Sequence, residues 1–467
     1  MLENQNANKS EAPIESGLQN TKEDAPQEET DSTEGALSQQ PVGPKERYRS
    51  IDVLRGFAVL GILAMNIVFF AWPMAGYENP VYSGGTNTIN VSAWVVNSMF
   101  FSGKMMSIFS ILFGAGLVLM TDRAEAIGKS NLGVHYRRMF WLFCIGMLHA
   151  YFIWSGDILV MYALCGIPLY LFRRRSPRFL IIFAIILVGI QLALGYGFSL
   201  YGSFISDVAA QVDAELAAGN EPEAWKVEVH KGWNKEMRAF MAPNQSDVDR
   251  MIEDYRGSYL DIVKVRAPEV LMFQVFGFLF FGLWGAGARM MLGMALMKLG
   301  VLTGKGDWPF YKKLAMIGYG IGLPLTVLGI VNIYTNNFSP LDASLGTFLV
   351  GLGMVPVALG HIAIVMMACK SSLSPKFLDM LAATGRMALT HYLMQSVICT
   401  TLFYGYGGNL FARLGRLELW GIVLVIWAIQ LMISPIWLKH FRFGPAEWFW
   451  RSLTYWRRQP FRNQVAA

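Results

Sequence analysis

The stretch IDVLRGFAVLGILAMNIVFFAW, residues 51–72, decides the fold of this protein. Its only charged residues are Asp52 and Arg55, and both lie close to its start. Crossing the hydrocarbon core of a bilayer, which is roughly 30 Å thick, takes about 20 consecutive apolar residues in a helix. The stretch therefore predicts a membrane-spanning helix that carries an acid and a base near one end.

Similar apolar runs recur along the chain. Of its 467 residues, 54% are hydrophobic and only 15% are charged, whereas roughly a quarter of the residues in a soluble domain are charged. Run length and basic flanks predict ten spans, at residues 51–72, 99–120, 138–154, 157–172, 179–201, 270–297, 314–334, 343–368, 386–405 and 418–438. The predicted fold class is all-α, a polytopic membrane bundle of about ten transmembrane helices.

The loop charges predict the orientation of this bundle. Lysine and arginine gather in alternate loops, after the second, fourth, sixth and eighth spans and after the tenth, while residues 73–92 contain neither. Cytoplasmic loops are the ones enriched in these residues, so we expect both termini in the cytoplasm. Arg413 and Arg416, in a loop predicted outside, are the exception. The formal net charge of +6 thus indicates membrane orientation and no nucleic-acid partner.

Composition divides the chain into five predicted segments. Residues 1–46 hold ten acidic residues against three lysines and no aromatic residue, which is typical of a disordered tail, here cytoplasmic. Residues 47–201 and 269–439 each form a membrane half of five spans. Residues 202–268 are too polar to span and predict an extracytoplasmic insertion of amphipathic helices, although a connector without a role of its own fits equally well. Residues 440–467 interleave aromatic and basic residues, as in a cytoplasmic interfacial anchor.

The charges at the start of the first span have two interpretations. Asp52 and Arg55 share one helix face and can pair, which softens the burial of both side chains. Alternatively, Arg47, Ser50 and Arg55, with Asp52 beside them, form an anion site for the phosphates of a nucleotide-like donor, because arginine presents a fork of donors that matches phosphate oxygens.

Several segments resemble the YeiB family of bacterial membrane proteins, a domain of unknown function within the transmembrane acyltransferase superfamily that includes heparan-α-glucosaminide acetyltransferase. The resemblance rests on Arg47-x-x-Ser50-x-Asp52-x-x-Arg55 and on DVLRGFAVLGILAMNI, GKMMSIFSILFGAGL, GMLHAYFIWSGDILVMYALCGIPL, GRMALTHYLMQS and FGPAEWFWRSLTYWRRQP. It implies an acyl group taken from cytoplasmic acyl-CoA, such as acetyl-CoA, and passed to an acceptor outside the bacterial inner membrane. His391 departs from the family pattern, which more often has asparagine there.

Such a transfer needs a base near the outer end of the site, to deprotonate the acceptor. Of the six histidines, only His149 falls in the outer half of a predicted span. Asp157 follows at the adjacent turn and can orient the imidazole, and Lys104, at the outer end of the second span, can join them on the acceptor side. Each also has a structural interpretation: a helix-to-helix hydrogen bond for His149, an N-cap for Asp157 and snorkelling to the lipid surface for Lys104.

Three functions remain open from the sequence. The first is an acyltransferase that acts on a glycan, lipid or small metabolite, with membrane lipids around it, a homodimer as a possible assembly, and no metal. The second is a transporter or exporter of a small solute, in which intramembrane polar residues line a path. The third is a membrane protein without catalytic activity. Transport would predict broken helices at matching places in two halves, and the sequence shows no convincing repeat of that kind.

Overall fold

The computed structural model describes residues 48–371 and 374–463, except for the side chains of Glu78 and Glu236. The tail predicted at residues 1–46 and the predicted donor residue Arg47 lie outside the described residues. Regular structure in the described part is helical, and a single bridged backbone pair joins Phe441 to Arg462. The predicted all-α, helical membrane bundle is confirmed.

The described residues contain 18 α-helices. In chain order they are α1 (Arg49–Ala71), α2 (Met74–Glu78), α3 (Thr88–Phe100), α4 (Lys104–Ala126), α5 (Leu132–Phe152), α6 (Leu159–Leu169), α7 (Pro177–Ala217), α8 (Ala224–Gly232), α9 (Arg238–Met241), α10 (Gln245–Tyr255), α11 (Tyr259–Met272), α12 (Leu283–Lys298), α13 (Trp308–Thr335), α14 (Ser344–Lys370), α15 (Pro375–Arg386), α16 (Ala388–Phe403), α17 (Arg416–His440) and α18 (Pro445–Tyr455).

Each of the ten predicted spans lies largely in helix, with short breaks at residues 101–103 in the second and at Met387 in the ninth. By length and composition alone, seven stretches of the described chain are suited to cross a membrane: Arg49–Ala71, Thr88–Ala126, Pro177–Ala217, Tyr259–Lys298, Trp308–Thr335, Ser344–Lys370 and Arg416–His440. The other three are shorter or more charged. α6 has 11 residues and α16 has 16, while α5 carries two arginines close to its start.

Two membrane helices continue into the insertion. α7 has 41 residues and extends past the predicted end of the fifth span at residue 201; at about 1.5 Å per residue it is roughly 60 Å long. It continues because Ile205, Val208 and Val212 are buried on the same helical stripe. α11 is joined to α12 by the π-helix Phe273–Gly282, so the helix that contains the sixth span begins at Tyr259.

The insertion packs on loops of the second membrane half. The peptide N–H of Gly405 donates to the carbonyl of Tyr255 at 3.0 Å, and the guanidinium of Arg256 donates twice to the carbonyl of Phe411. We call this end of the bundle, where Ala71, Phe152 and Arg416 lie, the insertion end. The opposite end, where Arg49, Lys298 and Lys370 lie, is the basic end.

Glycines bring α1 and α15 into backbone contact. A Cβ atom on Gly385 would lie 1.9 Å from the carbonyl oxygen of Asp52, and one on Gly56 would lie 2.0 Å from that of Leu381. No side chain fits in that space. This crossing fixes the position of the first turns of α1, which carry Asp52 and Arg55.

The C-terminal aromatic segment is docked on the bundle. The buried carboxylate of Glu447, on α18, accepts hydrogen bonds from the backbone N–H groups of Leu389 and Thr390 at the start of α16. The indole of Trp450 donates to the carbonyl of Arg138 at 3.1 Å. Glu447 thus caps the N-terminus of α16, where a negative charge is favourable.

Candidate functional site

The turn between α5 and α6 brings His149 and Asp157 together. His149 Nδ1 lies 2.8 Å from Asp157 Oδ2, and the two side chains are 1% and 2% exposed. The other carboxylate oxygen, Oδ1, accepts the backbone N–H of Val160 at 2.9 Å, in the first turn of α6. Asp157 therefore caps α6 and binds the imidazole at the same time, so its two sequence interpretations do not exclude each other.

A glycine makes this tight return of the chain possible. A Cβ atom on Gly146 would lie 2.7 Å from the backbone nitrogen of Val160 and 3.0 Å from Asp157 Oδ1. Gly146 lies one turn before His149 on α5, so the loop and the start of α6 fold back directly against the face that carries the histidine. The motif GMLHAYFIWSGDILV encodes both the pair and the space that it needs.

The hydrogen bond to Asp157 determines which ring nitrogen of His149 is available. A carboxylate only accepts, so Nδ1 carries the proton and Nε2 presents its lone pair. Nε2 is buried and has no hydrogen-bond partner within residues 48–371 and 374–463. The indole Nε1 of Trp154, whose ring centroid lies 6.4 Å from that of His149, is also buried and without a partner in this part of the chain. A basic lone pair and a donor are thus both left for a further molecule.

Tyr392, on α16, closes the other side of the pair. Its ring centroid lies 5.1 Å from that of His149, and its hydroxyl accepts the backbone N–H of Ile158 at 3.2 Å. Below it, Tyr162 bonds to Ser110 Oγ at 2.8 Å. These hydroxyl groups extend the polar surroundings of His149 into the centre of the bundle.

The burial of Lys104 rules out its structural interpretation as a snorkelling residue. Lys104 is fully buried and so does not snorkel to the lipid surface. The chain breaks between α3 and α4 at Gly103, whose φ of +71° favours glycine. The ammonium group of Lys104 donates to the carbonyl of Ser98, and His361 Nε2 bonds to that of Phe100 at 2.9 Å. The side chains of Lys104 and His361 therefore satisfy carbonyl groups that have no partner within α3 because they lie in its last turn.

At the basic end, Asp52 and Arg55 do pair. Arg55 Nη1 donates to Asp52 Oδ1 at 3.0 Å, and the Arg55 side chain is 30% exposed. The Ser50 hydroxyl donates to the carbonyl of Leu302 at 3.0 Å, so its proton is engaged within the protein. The Arg55 side chain thus remains partly exposed at the basic end.

Two more arginines share this region. The positive charges of Arg55 and Arg451 both act on the guanidinium of Arg138, which lies 4.6 Å from the ring centroid of Trp450. The Arg451 guanidinium lies 4.9 Å from the ring of Phe443. The sequence marked Arg138 and Arg451 only as basic flanking residues. Folding of α1, α5 and α18 brings Arg138 within electrostatic range of both Arg55 and Arg451.

Two buried arginines escaped the sequence analysis as site residues. Arg289, on α12, is 4% exposed, and its Nε has no hydrogen-bond partner among the described residues. Its charge acts on the hydroxyl of Tyr162. Arg266, on α11, is 0% exposed. In the sequence, Arg289 is a charged residue inside an apolar run, but the glycines around it suggest only close helix packing. Arg266 lies on the same apolar helical stripe as Tyr259 and Ile262, which indicates that it is buried.

His391 belongs to a group of hydrogen bonds that connects three helices. Its Nε2 lies 2.7 Å from Ser434 Oγ, and Gln395 Nε2 donates both to Gln430 Oε1 and to the carbonyl of Val59, each at 3.1 Å. These bonds join α1, α16 and α17. Interhelical hydrogen bonds of this kind hold membrane helices together.

The fold and site define a class: a helical membrane protein with a buried His–Asp pair towards one end and an arginine cluster at the other. The chain belongs to the YeiB family. Residues 296–457 match the family model described as "Protein of unknown function (DUF418)". Over 92% of this chain and 99% of its own length, "Uncharacterized protein YxaH" of Bacillus subtilis (strain 168) is 31% identical. "Uncharacterized protein YeiB" of Escherichia coli (strain K12) is 30% identical over 88% of this chain and 96% of its own length. No solved structure matches.

Proposed function

We propose that the protein is an acyltransferase of the bacterial inner membrane. In this proposal the basic end faces the cytoplasm and receives acyl-CoA, and the insertion end receives a hydroxyl or amine acceptor from outside. The observation that carries the proposal is the free Nε2 of His149 behind an Nδ1 that Asp157 holds. This is the arrangement that makes an imidazole a general base.

The chemical step balances without a further reactant. His149 Nε2 takes the proton from the acceptor hydroxyl or amine as its oxygen or nitrogen attacks the acyl carbonyl of the thioester. The new ester or amide bond forms, the carbon–sulfur bond breaks, and the proton passes from the imidazole to the departing CoA thiolate. Asp157 stabilises the imidazolium while it carries the proton.

The basic end suits the donor. An acyl-CoA carries several phosphates, and arginine forks match phosphate oxygens in pairs. Arg55, Arg138 and Arg451 lie near one another, with Asp52 on Arg55 as a counter-charge. Tyr392 neighbours Asp157 and Tyr162, and Tyr162 neighbours Arg289, so polar groups extend from the His149 pair into the bundle, where in this proposal the acyl group passes.

Reconstituted protein with radiolabelled acetyl-CoA tests the proposal. Transfer of label to membrane lipids, glycans or added metabolites is measured together with release of CoA thiol. His149→Gln preserves hydrogen bonding but not proton transfer, so both signals should fall by about 100-fold or more. His391→Gln is the matched control, a second buried membrane histidine outside the site, and should retain activity. Equal rates in the wild-type protein and His149→Gln would refute the base.

Transport is the second candidate, and one observation favours it. The break at Gly103 and the fully buried Lys104 give the bundle a discontinuous helix with an intramembrane cation, as in many transporters. A transporter would move a solute across proteoliposomes without acyl-CoA, and Lys104→Met would stop that movement. Acceptor-dependent release of CoA thiol without movement of a solute would instead favour the acyltransferase.

A further inference from the structure

Arg266 is buried, and its guanidinium has no hydrogen-bond partner among residues 48–371 and 374–463. It is 0% exposed, and none of its three guanidinium nitrogens, Nε, Nη1 and Nη2, bonds to a partner in the described part of the chain. Its guanidinium carbon lies 5.7 Å from the ring centroid of Tyr404. A cation–π contact at that distance leaves every N–H donor of the guanidinium open. A charge taken out of water in this way normally has a paired acid.

The acid on the same face of α11 is engaged elsewhere. Glu269 lies one turn further along α11 and attracts Arg266 electrostatically, but its Oε2 accepts the hydroxyl of Tyr255 at 2.6 Å. Burial, with the negative charge of Glu269, raises the pKa of Tyr255, so this phenol stays protonated and keeps donating. The forked donors of Arg266 therefore remain available.

Arg266 lies on a helix that contacts the end of α5, the helix that carries His149. The hydroxyl of Tyr259, on the same helix face, donates to the carbonyl of Phe152 at 2.9 Å, and His149 is one turn before Phe152 on α5. Tyr404, whose ring covers Arg266, belongs to one buried cluster with Trp154. Arg266, Trp154 and His149 thus all lie towards the insertion end of the bundle.

We propose that Arg266 binds an oxyanion, a carboxylate or phosphate, on the acceptor. Two parallel N–H donors of its guanidinium hold the two oxygens, while the acceptor's hydroxyl or amine meets His149. This inference rests on the proposed function and narrows it: the acceptor is anionic. A neutral sugar would leave the buried charge unpaired and is rejected by the site.

Thermal unfolding of the purified protein in neutral detergent tests this binding directly. Inorganic phosphate and glucuronate should raise the Tm of the wild-type protein above that in chloride of equal ionic strength, and glucose should not. Arg266→Met should abolish this shift and unfold at a higher temperature than the ligand-free wild-type protein, because it removes an unpaired buried charge. Equal shifts in Arg266→Met and the wild-type protein would overturn the proposal.

A second variant covers the case in which Arg266→Met fails to fold. Arg266→Lys retains the charge and the contact with Tyr404 but has no fork, so its oxyanion shift should be smaller than that of the wild-type protein. Arg256→Gln is the matched control. It removes another arginine of the insertion, one whose guanidinium already bonds to Phe411, and should leave the shift unchanged. An unchanged shift in Arg266→Lys would count against the site.

Two further experiments identify the source of the oxyanion and distinguish failure of the anion site from failure of the proposed acyltransferase function. In nanodiscs of phosphatidylcholine, adding phosphatidylglycerol should raise the Tm if the oxyanion belongs to a lipid headgroup, while a shift with soluble glucuronate or phosphate alone indicates a soluble acceptor. His149→Gln should abolish acyl transfer yet preserve the shift. An Arg266-dependent shift without acyl transfer would leave the anion site standing and refute the transferase. Transfer that depends on His149, with no oxyanion shift, would do the opposite.

Discussion

The variant Asp157→Asn tests whether His149 needs the carboxylate of Asp157 to act as a base. In Asp157→Asn, the side-chain oxygen can still accept the N–H of Val160 and cap α6, but the amide nitrogen would face His149 Nδ1. The histidine would then protonate at Nε2 and lose the lone pair that acts as base. We expect acyl transfer to fall by about 100-fold or more, with a Tm close to that of the wild-type protein. A full rate in Asp157→Asn would mean that the carboxylate only caps the helix.

The variant Arg55→Lys tests whether the basic end binds the phosphates of the donor. Arg55→Lys retains the charge opposite Asp52 but loses the fork, so a phosphate site should weaken by roughly 1–3 kcal/mol. Equilibrium binding of CoA to the purified variant measures this loss. Arg49→Lys is the control, because Arg49 lies on the same helix and bonds to the exposed Asp379. Unchanged CoA affinity in Arg55→Lys would leave the ion pair with a structural role only.

Which residues the sequence predicts depends on how local their partners are. His149 and Asp157 are eight positions apart, and Asp52 and Arg55 are three, so spacing and a turn suffice to predict that they meet. The aromatic ring next to Arg266 belongs to Tyr404, in the loop after α16, far along the chain. No periodicity shows that α11 and this loop converge or that Glu269 is already bound to Tyr255.

At the scale of elements, the sequence predicts the presence of each helix more accurately than its end points. All ten apolar runs are largely helical, since burial in lipid forces backbone hydrogen bonds to close within each segment. The predicted limits at residues 201 and 268 fall inside helices, because an apolar stripe continues beyond the membrane. A related difference concerns Lys104, which was predicted at the outer end of the second span. The apolar stretch already begins with α3, so Lys104 lies within it, at the start of α4.

The crossing of α1 and α15 gives the element-scale prediction. Gly385→Ala would put a methyl group against the carbonyl of Asp52, and overpacking of this kind typically costs 1–3 kcal/mol, occasionally more. We expect a lower Tm and weaker CoA binding, because α1 carries Arg55. Gly421→Ala, on α17, meets no atom within 4 Å and should be neutral or up to about 1 kcal/mol stabilising. Similar Tm values for the two variants would contradict the close crossing.

For the whole molecule, the decisive property is that its two ends differ chemically. The basic end gathers lysines and arginines that cytoplasmic loops favour. Arg416, one of the two exceptions predicted outside, is buried and donates to the carbonyl of Gly76 and to Ser83 Oγ. Arg416 therefore fixes the loop after α1 internally and adds no charge to the surface. Removing it from the loop count strengthens the orientation that the remaining charges predict.

Labelling with a membrane-impermeant maleimide tests this orientation in whole cells. Thr86→Cys and Glu221→Cys lie in exposed positions at the insertion end, and Lys129→Cys lies in an exposed loop at the basic end. The first two should react in intact cells and Lys129→Cys only after the membrane is opened, because the basic loops stay in the cytoplasm. The protein with only its four native cysteines, which are buried or half-buried, gives the background. Reaction of Lys129→Cys in intact cells would invert the molecule, place the arginine cluster outside and remove it from the reach of acyl-CoA.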